Sequence, residues 1–234
     1  RVLSLPITYE LYADWIELAS GTQGEAVDPR AALIGRLSAE ALSGHAKRLG
    51  DQWKWYFPKG GGGSTSRGTL DLDMASSGQR ANWSLGYLAQ ALFVLRRRRD
   101  FARVLTVFVE EPELHLHPTA QVKMSQILAV LVNAGFRVVV TTHSLSIIYS
   151  LNNLLLARKR FQAAPGRGLP DPAMRLRVED VAVYDFSDGA PRDVVDREEV
   201  LVGHSPHLTR GFSQTPRTHS FPQPGCSPWC PSSC

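Results

Sequence analysis

The feature that most constrains this chain is a pair of apolar runs separated by one helix. Val104-Leu105-Thr106-Val107-Phe108-Val109 and Val138-Val139-Val140 flank a segment that starts after Pro118. That segment places Met124, Ile127, Leu128, Leu131 and Val132 at helical spacing and meets Gly135, a usual C-terminal stop. The pattern predicts a β-α-β unit with strands over 104–109 and Arg137–Thr141. Such a crossover is almost always right-handed and makes its two strands parallel. Nearly continuous apolar strands are expected in a parallel sheet covered on both faces. The carboxyl ends of parallel strands share one edge, where open α/β sheets bind ligands. Here that edge receives Glu110, Glu111 and His143.

The rest of the chain is read around that unit. Residues 1–58 are expected to be a helical subdomain, with Leu33, Ile34, Leu37, Ala41 and Leu42 at helical spacing. Trp53, Trp55, Tyr56 and Phe57 form an aromatic cluster, read first as core and otherwise as a surface for stacking bases. Residues 59–69 are a Gly-rich connector. The segment contains glycine but no G-x-x-x-x-G-K-[ST], and no lysine in the chain follows a glycine. Leu70–Asp73 alternates like a short strand. After Ala75-Ser76-Ser77-Gly78-Gln79 comes a helix with Leu85, Leu88, Ala89, Leu92 and Leu95 on one face. It runs into Arg96–Arg99, which suit a helix C-terminus or, alternatively, a phosphate backbone. A helix is expected over Ser146–Arg160, then a loop to Pro172. A hairpin is expected from Val178–Phe186 and Asp193–Asp196 around Asp188-Gly189.

Composition narrows the class. The chain has 234 residues, 43% of them apolar, enough for a real core. A net charge of +4 is too mild to imply nucleic acid by itself. All three cysteines, Cys226, Cys230 and Cys234, fall in residues 203–234, a Pro-rich stretch without acids that is expected to be a disordered tail. No disulfide framework is therefore expected in the body. No apolar run reaches the ~18 residues of a membrane span, so no membrane partner is expected and a cytoplasmic location is the default.

Three small motifs carry chemistry. Two acids at a strand end can divide the work of phosphoryl transfer, one holding Mg²⁺ and the other polarising the attacking water. The bland alternative is a solvated acidic turn. His143, after the neighbouring strand, can donate to a phosphate oxygen or cap a structural end. Ser76, Ser77, Gly78 and Gln79 at a helix start offer hydroxyl and N–H groups to an anion, or form an ordinary N-cap. His115 and His117 make an H-x-H pair, but no third zinc ligand follows at useful spacing.

In this order the motifs resemble the ABC-type ATPases of the SMC/RecF-like branch, close to the overcoming-lysogenisation-defect (OLD) family and related bacterial ATPases. Ala75-Ser76-Ser77-Gly78-Gln79 resembles the signature, Val107–Pro112 the Walker B strand, Glu113–Pro118 the D-loop, and Thr142-His143-Ser144 the switch-histidine loop. The resemblance covers roughly residues 70–160, with continuation to about 200. It implies an α/β, P-loop NTPase-like core over residues 70–202, with parallel strands flanked by helices and a C-terminal β-hairpin. It implies an ATPase using ATP and Mg²⁺. Glu111 would be the catalytic carboxylate, Glu110 the metal-associated acid, and His143 a γ-phosphate contact. Ser76, Ser77, Gly78 and Gln79 would face ATP held by a second copy, in a head-to-tail homodimer. The output would reach DNA or an effector protein, as in DNA repair or phage defence. A Walker A half is expected ahead of residue 1 or from a partner. A non-hydrolysing nucleotide-gated scaffold, a DNA-binding domain and an inactive fragment are the competing readings.

Overall fold

A computed structural model describes residues 28–50, 52–58, 68–97, 105–160, 169–186, 189–196 and 201–202. The expected connector at 59–67, the loop at 161–168 and the tail from 203 lie outside them, as do residues 1–27. The elements in order are α1 (Pro29–Ala41), β1 (His45–Leu49), β2 (Gln52–Tyr56), β3 (Thr69–Asp71), α2 (Ser77–Arg97) and β4 (Thr106–Glu110). They continue with α3 (Pro118–Asn133), β5 (Arg137–Thr141), α4 (Leu145–Arg160), β6 (Tyr184–Asp185), β7 (Arg192–Asp193), β8 (Val195–Asp196) and β9 (Leu201–Val202). The result is a mixed α/β fold with a parallel strand pair and flanking helices, consistent with a P-loop NTPase-like core.

The β-α-β unit forms as its periodicity requires. β4 and β5 pair in parallel from Thr106↔Arg137 to Glu110↔Thr141. Helix α3 crosses between them and is the centre of the main core. Its Met124, Ile127, Leu128, Val130 and Leu131 are buried; α1 and α4 pack against it, and α2 packs in turn on α1. Each such aliphatic side chain contributes about 1.5–3 kcal/mol by leaving water, so this helix anchors the fold. Pro118 fits the first turn, where no N–H partner is needed, and the His117 ring accepts from the Thr119 N–H as N-cap. Gly135, at φ +87°, ends the helix and turns the chain into β5.

Three expectations need correction. Within the described part of the expected helical subdomain over residues 1–58, helix ends at Ala41, and His45–Tyr56 is an antiparallel hairpin extended by β3. Gly50 at φ +61° supplies its turn, and Trp53-Lys54-Trp55-Tyr56 alternates with period two. Its aromatics do enter a core. Trp55 is fully buried, and Trp53 packs on Trp83 and Tyr87 of α2, forming a second, smaller cluster.

Among the described residues the parallel pair is also not covered on both faces. Val107, Val109 and Val138 face the core and Val140 is half-buried, whereas Thr106, Phe108 and Glu110 on β4, and Arg137, Val139 and Thr141 on β5, are exposed. Phe108 is 60% exposed and sits opposite Val139 at 41%. The two strands are apolar on both faces, but only one has helices against it among the described residues. Lastly, the expected late hairpin is shorter. Val178–Asp180 is a 3-10 turn, and only Tyr184–Asp185 pairs with Arg192–Asp193; Asp188 lies outside the described residues.

Candidate functional site

The parallel register determines what meets at the carboxyl edge. Glu110 is the last residue of β4 and lies opposite Thr141, the last of β5. It falls on the open face in line with Phe108 and is exposed. Glu111 leaves the strand at φ +42°, in the left-handed region that a residue with a Cβ adopts at a cost. Its N–H donates to the Thr141 carbonyl at 2.9 Å, which holds the turn against the end of β5. The two neighbouring acids therefore separate. One continues the strand, and the other turns towards the loop after β5.

That loop brings in His143. Its Nε2 lies 3.6 Å from Glu111 Oε1, with the imidazole 87% exposed and the Glu111 side chain 40% exposed. This separation is longer than a hydrogen bond, and an exposed pair adds little to stability. The pair is therefore available for chemistry and is not a structural tie.

The backbone beneath it is tied firmly. Glu113 Oε1 accepts from Thr142 Oγ1 at 2.8 Å and from the His143 N–H at 2.7 Å. Gln121 of α3 donates from Nε2 to the Leu116 carbonyl at 2.9 Å, and its Oε1 receives the Ser144 hydroxyl at 2.5 Å. Ser144 Oγ in turn accepts the Ile147 N–H, capping α4. Two side chains thus fasten the acid-bearing turn to the histidine-bearing loop. Neither Glu113 nor Gln121 was singled out for this by sequence reasoning. Their partners lie 23 to 30 residues away, and no local pattern marks such a contact.

The segment Ser76–Gln79 is built differently. The Ser76 N–H donates to Gln79 Oε1 at 3.0 Å, and the Gln79 N–H donates to Ser76 Oγ at 3.3 Å. This is a capping box, which satisfies two orphan donors of α2 reciprocally. Gln79 Nε2 also donates to the Leu42 carbonyl, joining the hairpin side to α2. Gly78 is buried against the acid turn. A Cβ there would stand 2.4 Å from the His115 carbonyl oxygen, so only glycine fits. Asn82, one turn on, donates to the Leu114 carbonyl at 3.0 Å. Ser76 and Ser77 are exposed. The start of α2 therefore abuts the turn that carries Glu111 and Glu113 within the same chain.

The hard carboxylate oxygens of Glu110 suit Mg²⁺, which commonly takes one or two carboxylates and completes its shell with water and substrate phosphate. No group of three His, Cys, Asp or Glu side chains placed to hold a metal occurs among the described residues. His117 uses Nδ1 at the α3 cap, and His115 lies in the turn at φ +59°.

Residues 45–148 match the model of the AAA ATPase domain. The match runs from β1 into the first turn of α4 and contains Ser76–Gln79, Glu110, Glu111 and His143. The segment is in this respect similar to AAA ATPase domains. A solved structure described under "ATP-driven dimerization and DNA stimulated activation of SMC ATPases" aligns with 82% of this chain and 92% of its own, at 12% identity and a TM-score of 0.42. No curated protein matches the chain. No helix among the described residues is long and apolar enough to cross a membrane.

Proposed function

We propose that this chain is part of an ATPase of the ABC type, in which the carboxyl edge of β4 and β5 hydrolyses the γ-phosphate of ATP. The observation that carries the reading is the placement of Glu111 and His143 at adjacent parallel strand ends, 3.6 Å apart and both open to solvent. Glu111 is the residue assigned to polarise the attacking water. Its carboxylate is held away from the strand by the turn at φ +42°, so it points to the loop and not along the sheet. His143 is assigned to donate to the phosphate oxygens, where negative charge is greatest in the transition state. Glu110 would hold Mg²⁺, directly or through water; the ion would neutralise phosphate charge.

The phosphate-cradling loop is assigned to a Walker A segment outside this sequence, since no G-x-x-x-x-G-K-[ST] occurs within it. Ser76 and Ser77 are assigned to meet ATP bound by a second copy. Both are exposed at a helix start whose first turn carries no acid. Ser76 Oγ only accepts in the capping box and keeps its proton to donate. A head-to-tail homodimer serving DNA or an effector, in repair or phage defence, follows from the sequence resemblance to the OLD-like branch.

Phosphate release and dimer formation test this together. In a protein that also supplies the Walker A segment, Glu111→Gln is expected to abolish ATP turnover while ATP-dependent dimerisation, read by light scattering, persists. Turnover that survives in Glu111→Gln removes Glu111 as the base. Dimerisation by ATP without any turnover in the unaltered protein would instead fit a nucleotide-gated scaffold.

A further inference from the structure

We infer that Glu113 is a positioning residue for the hydrolytic edge, acting by the reach of one oxygen and not by its charge. The inference rests on the ATPase reading of this edge. The His143 ring is 87% exposed and its 3.6 Å contact with Glu111 is longer than a hydrogen bond, so its backbone chiefly sets where the imidazole points. That backbone is fixed from across the edge. Glu113 Oε1 takes both the His143 N–H at 2.7 Å and the Thr142 hydroxyl at 2.8 Å. Thr142 Oγ1 then accepts the Ser144 N–H at 3.0 Å, so the one carboxylate oxygen organises three consecutive residues.

Glu113 stands two residues after Glu111, on the same short turn. Its Leu114 and Leu116 N–H groups donate to the Glu111 and Glu113 carbonyls, which makes the turn a compact unit. A shift of the histidine loop relative to the acid turn is therefore resisted by this side chain.

The second carboxylate oxygen identifies which property matters. Glu113 Oε2 is buried and has no hydrogen-bond partner. A buried carboxylate oxygen left unpaired is unfavourable, so charge is not what this position exploits. Glutamine keeps the length and an Oε1 with two lone pairs, and replacing Oε2 by NH₂ forfeits no bond. Aspartate keeps the charge but withdraws the oxygen by about 1.5 Å, one carbon–carbon bond, too far to hold both donors.

The expected ranking is therefore the reverse of a charge-based one. In the full chain, Glu113→Gln retains slow hydrogen exchange at the His143 amide. Glu113→Asp accelerates it about tenfold or more, while the Val138–Val140 amides of β5 keep their protection. In turnover, Glu113→Asp lowers kcat about tenfold to a hundredfold with little change in KM, as expected for misplacement of a catalytic group by about 1 Å. Glu113→Gln recovers most of that kcat. Unchanged His143 exchange in Glu113→Asp, or a Gln variant impaired more than the Asp variant, overturns the inference. So does unchanged kcat in Glu113→Asp beside an active parent. A parent without turnover sinks the hydrolytic reading alone, and the exchange ranking still decides whether Glu113 holds the loop.

Discussion

The carboxyl edge of β4–β5 and the start of α2 both carry polar groups at the end of a regular element, and they use them in opposite ways. At the edge, Glu110, Glu111 and the His143 ring face solvent, and the fastening is done by the neighbouring Glu113 and Gln121. At the start of α2, Ser76 and Gln79 bond to each other and Gly78 is pressed against a carbonyl. The comparison teaches that a motif's residues are not equally available. Where supporting side chains carry the structure, the functional ones are left free to act. Where the motif carries its own structure, it contributes stability first.

That contrast can be broken most easily at Glu111. Glu111→Gln is expected to lower turnover by about 10²–10⁴, the usual worth of a general base, with almost no change in melting temperature. A large fall in melting temperature would show that the edge is structural after all. Gly78→Ala should show the opposite profile. Its methyl would meet backbone at 2.4 Å, so about 1–3 kcal/mol of stability should be lost in a denaturant titration. Gly86→Ala would meet the Ser38 side chain, Oγ at 2.3 Å and Cβ at 2.7 Å, and because the Cβ cannot turn aside it should cost a comparable amount. A loss at Gly78 far smaller than that at Gly86 would argue that the acid turn yields to α2.

Ser76→Ala removes the N-cap acceptor and should cost about 1 kcal/mol, seen as a lower denaturant midpoint at unchanged slope. The smallest effect is expected at Tyr87, whose hydroxyl donates to the Ala46 carbonyl and joins α2 to the hairpin. Burial pushes its phenol above the ordinary value. The neutral form is favoured in the fold, so this contribution is complete below the unfolded value of about 10 and is lost as pH rises through the folded value. Tyr87→Phe should flatten the decline of stability above about pH 10, and an unaltered decline would assign it to other groups.

How much of this was legible can be argued residue by residue. The β-α-β unit was, because Met124, Ile127, Leu128 and Leu131 share one helical face and Gly135 supplies the stop. Its strand ends were legible too, which placed Glu110, Glu111 and His143 on one edge before any coordinates. The hairpin at His45–Tyr56 was misread as helix, since its alternation is short and its aromatics look apolar at any period. The open face of β4–β5 was hidden for a related reason. Phe108 and Val139 read as buried strand residues, yet an apolar residue carries no record of whether a neighbour arrives to cover it.

Periodicity and chain direction alone therefore determined the crossover, its parallel strands and the acids and imidazole at their ends, because these follow from local sterics and the handedness of the backbone. Only the tertiary structure decided which oxygens are committed and which are free. The bond from Glu113 to His143 and the contact of Gly78 with His115 each join residues about thirty or more positions apart, and such contacts exist only once packing around α3 has brought the loops together.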